Sequence, residues 1–331
     1  MTIALDVMGG DHAPEAIVQG ALEAAPLLKS KLILVGDESK FKHHLPTTLP
    51  ANIELVHASQ SVEMDEKPLH AYRTKKDSSL MVAAKLVKDG VAQALVSAGN
   101  TGAASATSLL QWRQVDGVHR PAIASQLPNK HGGFVLLDAG ASPDVDPEHL
   151  VEFAIMGRAY AQKLLGRANP KVHLLNIGEE EGKGNAFAKQ AYTLLSKHDW
   201  FAGNIEGKDM FFKHTDVVVC DAFVGNIVLK TSEGVAELIV DTIRQEIPTN
   251  PLLRKLYWPV RKVTQPLRKQ MDYAEVGGSP LLGLNGLCMI CHGRSNPKAI
   301  RNALLVTERA IANGLVDTIK QTVLEELGPD K

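Results

Sequence analysis

Cysteine is scarce: three residues in a chain of 331, with Cys220 isolated and Cys288 close to Cys291. An odd, sparse set cannot form the disulfide framework of a small secreted fold. An excess of charge of one sign is also missing, because 36 Lys and Arg face 37 Asp and Glu, for a net charge of −1. That balance argues against a dedicated nucleic-acid binder, which carries a basic surplus. No stretch approaches the roughly 20 apolar residues of a membrane span, and no basic-then-apolar leader precedes the first apolar run, so a cytoplasmic protein is expected. Several motifs are absent as well. Neither Gly-x-x-x-x-Gly-Lys-Ser/Thr nor Gly-x-Gly-x-x-Gly occurs, which removes the usual signs of a nucleotide or dinucleotide loop. No Gly-x-Ser-x-Gly elbow, His-Glu-x-x-His helix or kinase set supports a serine hydrolase, a zincin or a kinase. Cys288-Met-Ile-Cys-His292 matches the literal haem-attachment string. It reads instead as a buried strand, in which positions three apart face opposite sides. No metal and no cofactor is expected.

What the chain does have is alternation. Apolar, β-branched runs at Ile3–Val7, Leu32–Val35, Ile53–Val56, Ala94–Val96, Phe134–Leu137, Val172–Ile177, Val217–Cys220 and Leu287–Cys291 are separated by helical patterns. Those patterns span Pro14–Leu28, Ser78–Lys88, Thr101–Trp112, Pro147–Leu165, Ala186–Lys197, Asn226–Gln245 and Pro297–Asn313. Such repetition predicts βαβ units, a mostly parallel sheet covered on both faces, and hence an α/β fold with a three-layer α/β/α sandwich. Without a low-complexity linker or repeat, residues 1–331 are expected to form one elaborated domain. Its 27 glycines suit many tight strand-to-helix turns.

One segment departs from this pattern. Over 248–275, Leu252, Leu256, Val260, Val263 and Leu267 recur at helical spacing, and basic pairs at 254–255, 261–262 and 268–269 repeat every seven residues. A protruding basic amphipathic helical insertion is predicted, divided by Pro259 and Pro266. Leu252, Arg254, Lys255, Leu256, Trp258, Arg261 and Lys262 are its candidate contacts with anionic lipid or with an acidic carrier protein. Packing against its own domain is the third possibility.

In parallel α/β sheets, ligands bind beyond the carboxyl ends of the strands. The most informative strand end is Ser97-Ala-Gly99-Asn100-Thr101-Gly102, where small residues lead into a helix. Peptide N–H groups there, at the positive end of the helix dipole, suit an anion held without a lysine, and free phosphate fits that description. An ordinary capped turn is the plain alternative. Other strand ends are also polar. Asp6-Val-Met-Gly9-Gly10-Asp11-His12 offers Asp11 or His12 as an orienting or proton-donating group, or Asp11 as a cap. Asp138 follows the fifth run. Asn176-Ile-Gly178-Glu-Glu-Glu-Gly-Lys183 places Lys183 between glycines, free to hold phosphate or an oxyanion, or simply to balance three glutamates. Asp221, Gly225, Asn226 and Lys230 follow the seventh run. His292 follows the eighth as proton donor, phosphate ligand or structural histidine.

These segments, together with Pro147-Glu-His-Leu150, Gly203-Asn-Ile-Glu-Gly207 and Gly283-Leu-Asn-Gly286, resemble the acyl-acyl carrier protein:phosphate acyltransferase (PlsX) family of bacterial phospholipid synthesis across nearly the whole chain. The resemblance implies transfer of a fatty acyl group from acyl-acyl carrier protein to inorganic phosphate, giving acyl phosphate for a membrane glycerol-3-phosphate acyltransferase. It also implies a homodimer, a fold similar to isopropylmalate dehydrogenases and phosphotransacetylases, and peripheral association with the inner face of the cell membrane. Direct attack by phosphate then needs no covalent enzyme intermediate. Lys183 would stabilise the oxyanion, His12 or His292 would assist the leaving thiol, and Asp221 completes the catalytic candidates. Two rivals stand beside this reading: an NAD oxidoreductase of isopropylmalate dehydrogenase type, and a non-catalytic module for carrier protein or lipid.

Overall fold

The computed structural model describes residues 1–246 and 273–328. The contacts proposed at Leu252, Arg254, Lys255, Leu256, Trp258, Arg261 and Lys262, and nearly all of the 248–275 insertion, lie outside the described residues.

The elements run β1 (Thr2–Asp6), α1 (Glu15–Ala24), β2 (Lys31–Gly36), α2 (Glu38–Phe41), β3 (Ile53–His57), α3 (Pro68–Thr74), α4 (Ser79–Lys88), β4 (Ala94–Ser97), α5 (Thr101–Trp112), β5 (Ala122–Ile123), β6 (Ser125–Leu127) and β7 (Phe134–Leu137). They continue with α6 (Pro147–Leu165), β8 (Val172–Asn176), α7 (Ala186–Leu195), β9 (Phe201–Glu206), β10 (Val217–Val219), α8 (Ala222–Glu246), α9 (Tyr273–Val276), β11 (Ser279–Leu282), β12 (Leu287–Ile290), α10 (Pro297–Ala312) and α11 (Leu315–Leu327). The fold is α/β, with mostly parallel strands between helical layers, as the alternation predicts. The strands divide into two sheets: seven in the order β3-β2-β1-β4-β12-β11-β5, and five in the order β6-β7-β10-β8-β9. In the first, β11 runs antiparallel to both its neighbours, β12 and β5; in the second, β6 runs antiparallel to β7.

Strand parity explains the layers. Along β1 and β2, Ile3, Leu5, Leu32 and Leu34 face a core shared with Ile17 of α1 and Ile300 of α10. Their neighbours Ala4, Ile33 and Val35 face a second core with Leu80 of α4 and Ala103 of α5. The smaller sheet repeats the arrangement: Val135, Leu137, Val217 and Val219 meet α6, while Phe134, Leu136 and Val218 pack on the side of α8. Helix starts follow capping chemistry. Asn100, Asn185 and Asn296 each accept a backbone N–H of their own helix, and Pro147 and Pro297 occupy the first turn.

β5 and β6 are almost continuous in sequence yet belong to different sheets, so residues 122–127 join the two. Ala124 N–H donates to Pro280 O at 3.0 Å, and the Ser125 and Ser279 hydroxyls lie 2.9 Å apart. These short antiparallel edges were not predicted from sequence, nor was β9, where Gly203 has φ +99° and the register to β8 shifts.

The start of α8 is set against the end of β7. A Cβ added at Gly225 would lie 1.9 Å from the Asp138 carbonyl oxygen, so only glycine lets the helix approach this closely. We expect Gly225→Ala to cost about 1–3 kcal/mol or more, read as a lowered denaturation midpoint. An unchanged midpoint would mean that α8 can slide away freely.

Candidate active site

The loop after β1, the end of β4 and the start of α4 converge on one carboxylate. Asp6 is buried and accepts hydrogen bonds from Ser79 Oγ at 2.6 Å, Ser97 Oγ at 2.7 Å and the Met8 N–H at 3.2 Å. Ser97 Oγ in turn accepts the Gly99 N–H at 3.1 Å. Burial raises the Asp6 carboxyl above its ordinary range, and the two serine hydroxyls oppose that rise. Gly9 must be glycine here, because an added Cβ would meet Asp6 Oδ2 at 2.6 Å and Gly99 N at 2.8 Å. Gly10, at φ +115°, turns the chain so that the Asp11 N–H donates to Gly293 O at 2.8 Å, and the Cys291 N–H donates to Ser97 O at 2.8 Å. Asp6 therefore shapes the loops with both oxygens already engaged.

Asn100 is equally committed. Its side-chain oxygen accepts the Ala103 N–H, while its amide donates to the Met64 and Glu66 carbonyls, each at 2.9 Å. It both caps α5 and clamps residues 63–66 beside it. At Gly102, an added Cβ would sit 2.7 Å from Pro68 of α3. The first-turn N–H groups of Thr101 and Gly102 have no protein acceptor among the described residues, as at any helix start, and Thr101 reaches a cavity.

That cavity, about 410 Å³, lies between the two sheets. Its lining includes the apolar side chains of Ile123, Leu127, Phe211, Leu229 and Ala236 and the polar or charged ones of Thr101, Ser125, Asn226, Lys230, Glu233 and His292. Lys230 Nζ donates to Glu233 Oε2 at 2.9 Å and lies 3.5 Å from His292 Nε2. The Arg294 N–H donates to His292 Nδ1 at 3.1 Å, while the Lys230 ammonium, which can only donate, stands opposite Nε2, so the neutral ring can accept from one of the two and not from both. Burial first, then the Lys230 charge, holds His292 below its ordinary value of 6.5. Cys291 also lines the cavity, but burial pushes its thiol up to about 12, so it is no thiolate nucleophile at neutral pH.

The structure thus brings together Thr101, Asn226, Lys230 and His292 and leaves other sequence candidates elsewhere. Asp138 is fully buried; Oδ1 accepts the Ile123, Gly140 and Ala141 N–H groups and Oδ2 that of Ser142, so it builds the loop instead of facing substrate. Asp221 accepts the Val224 N–H and caps α8. Lys183 does not line the cavity, and its ammonium lies 3.9 Å from Glu180. Around it, Asn176 donates to Lys183 O and Asn204 Oδ1, and Gly178 lies against the Lys183 side chain. Asp11 and His12 are exposed and likewise do not line the cavity. Sequence reading missed Glu233, Ser125, Ser279 and Phe211; the only available signal was Glu233, three residues beyond Lys230 on one helix face.

We expect Ser97→Ala to strand both the Gly99 N–H and an Asp6 oxygen, costing about 1–3 kcal/mol in chemical denaturation. A loss well under 0.5 kcal/mol would show that the loops do not depend on this hydroxyl.

A family model described as "Fatty acid synthesis protein" matches residues 1–318. The phosphate acyltransferase of Desulfitobacterium hafniense is 48% identical over 324 residues, covering 97% of each chain. The phosphate acyltransferase of Desulforamulus reducens is 46% identical over 333 residues, covering 99% of each. Among solved structures, a phosphotransacetylase from Streptococcus pyogenes superposes with a TM-score of 0.61 at 16% identity over 94% of each chain. A branched-chain phosphotransacylase from Enterococcus faecalis gives 0.56 at 14% identity, covering 94% of this chain and 99% of that one. At such identities the two structures speak for the fold alone.

Proposed function

The chain belongs to the fatty acid synthesis protein family of phosphate acyltransferases, and we propose that this acyltransferase takes its fatty acyl group from acyl-acyl carrier protein and supplies acyl phosphate to phospholipid synthesis. The observation that carries the reading is the single cavity in which an apolar wall meets Lys230, His292 and the start of α5. An acyl chain suits the first part, and an oxyanion suits the second.

In the proposed mechanism, a phosphate oxygen attacks the thioester carbonyl carbon, forming the C–O bond of a tetrahedral intermediate. Collapse breaks the C–S bond, and the departing thiolate takes up the proton that phosphate gives up. A thiol of ordinary pKa near 8.5 leaves readily, so proton donation adds little. The N–H groups of Thr101 and Gly102 and the Lys230 ammonium hold phosphate near the thioester. Once phosphate draws the Lys230 ammonium away from Nε2, the His292 ring, accepting the Arg294 N–H at Nδ1, donates its Nε2–H to the developing oxyanion. Lys230 thereby takes the electrostatic role that the sequence suggested for Lys183, which lies outside the cavity.

No helix among the described residues is long and apolar enough to cross a membrane. The homodimer, the anionic-membrane contact through 248–275 and hand-over of product to a membrane glycerol-3-phosphate acyltransferase belong to the same proposal.

The test is incubation with acyl-acyl carrier protein and phosphate, trapping acyl phosphate with hydroxylamine. Hydroxamate should form with the wild-type chain and fall about 10²-fold in Lys230→Met, with a far smaller loss in Lys183→Ala. The reverse ranking would return the role to Lys183, and no hydroxamate at all would remove the proposed donor. His292→Ala should likewise lower hydroxamate formation about 10²-fold, and an unchanged rate would remove the ring from the oxyanion.

A further inference from the structure

Glu233 is an unexpected neighbour for an anion. Among the described residues it is the only acidic side chain lining the cavity, and Lys230 is the only lysine or arginine doing so. The two are joined at 2.9 Å, with the Glu233 side chain 29% exposed. A partly exposed i,i+3 pair on a helix stabilises little. At this position its consequence is for the ligand: an oxyanion drawn to Lys230 arrives beside a carboxylate.

Taking the phosphate-binding reading of this cavity as given, we propose that Glu233 is its specificity-determining residue, admitting oxyanions that carry a proton and rejecting those that are fully ionised. An ionised carboxylate has only acceptor lone pairs. Against a P–OH it accepts a short, charge-assisted hydrogen bond. Against an oxyanion with no proton it meets only like charge and other acceptors, and like-charge contacts of this kind are strongly unfavourable. Phosphate and arsenate keep a proton at neutral pH, whereas sulfate and selenate keep none. Lys230 attracts all four alike, so the choice among them falls to Glu233. The sorting also suits the reaction, since only phosphate among the cell's common inorganic oxyanions gives the acyl phosphate product.

The experiment measures phosphate KM together with inhibition constants for arsenate, sulfate and selenate in the full chain. In the wild-type protein arsenate should compete with phosphate at similar concentrations, while sulfate and selenate are at least tenfold weaker. Glu233→Gln, with an unchanged melting curve, should narrow the sulfate-to-phosphate ratio by about tenfold, chiefly through tighter sulfate binding. Strong sulfate and selenate inhibition of the wild-type protein would overturn the proposal without any variant, as would an unchanged ratio in Glu233→Gln. Lys230→Met separates the two levels of the argument. Loss of phosphate affinity there, with an unchanged ratio in Glu233→Gln, removes only the role of Glu233. Undiminished phosphate affinity in Lys230→Met removes the phosphate site itself.

Discussion

The loops at the polar end of this molecule depend on one buried carboxylate. Asp6 ends β1 with its charge withdrawn from water, a cost tolerated only where several donors converge on it. Ser79 comes from α4, Ser97 from the end of β4, and Met8 from its own loop. Together they fix where three chain segments pass. Ser97 then relays the constraint to Gly99, and the glycine-to-glycine approach at Gly9 brings the first loop against the α5 start. Asp138 repeats the device in the smaller sheet, gathering four backbone N–H groups. Each sheet thus closes one edge with an acid whose two oxygens are engaged by the chain itself.

The division of labour follows from burial. Acids with both oxygens engaged from inside hold the loops, whereas the exposed Lys230 and the half-buried Glu233, paired only with side chains, remain able to exchange partners with an incoming molecule. His292 is intermediate: its Nδ1 is tied to backbone and its Nε2 stands beside the Lys230 ammonium. A preformed polar end of this kind loses little freedom on binding.

The layers were legible because long buried strands announce themselves. Phe134–Leu137, Thr101–Trp112 and Pro147–Leu165 occur within the bounds that their apolar patterns predict. The two-residue β5 and three-residue β6 carry no measurable period, and Pro280 obscures β11. The same contrast holds in the site. Thr101, Asn226, Lys230 and His292 could be found because they follow strands, where ligands gather. Asp6 and Asp138 look identical to ligands in sequence, and only their hydrogen-bond partners reveal them as scaffold. Lys183 has glycine neighbours that free its side chain, but their spacing says nothing of which cavity it borders, and it does not line this one.

The stitch at residues 122–127 carries a consequence for the order in which the protein is made. Ile123 pairs with Leu281, nearly 160 residues later in the chain, while Gln126 pairs with Val135 close by. On a growing chain, β6 can find its partner long before β5 can. The smaller sheet gains its edge early, and the seam waits for β11 to leave the ribosome. Contacts of such separation are slow to form. The cavity wall at Ile123 therefore rests on a pairing that only the C-terminal part of the chain can supply.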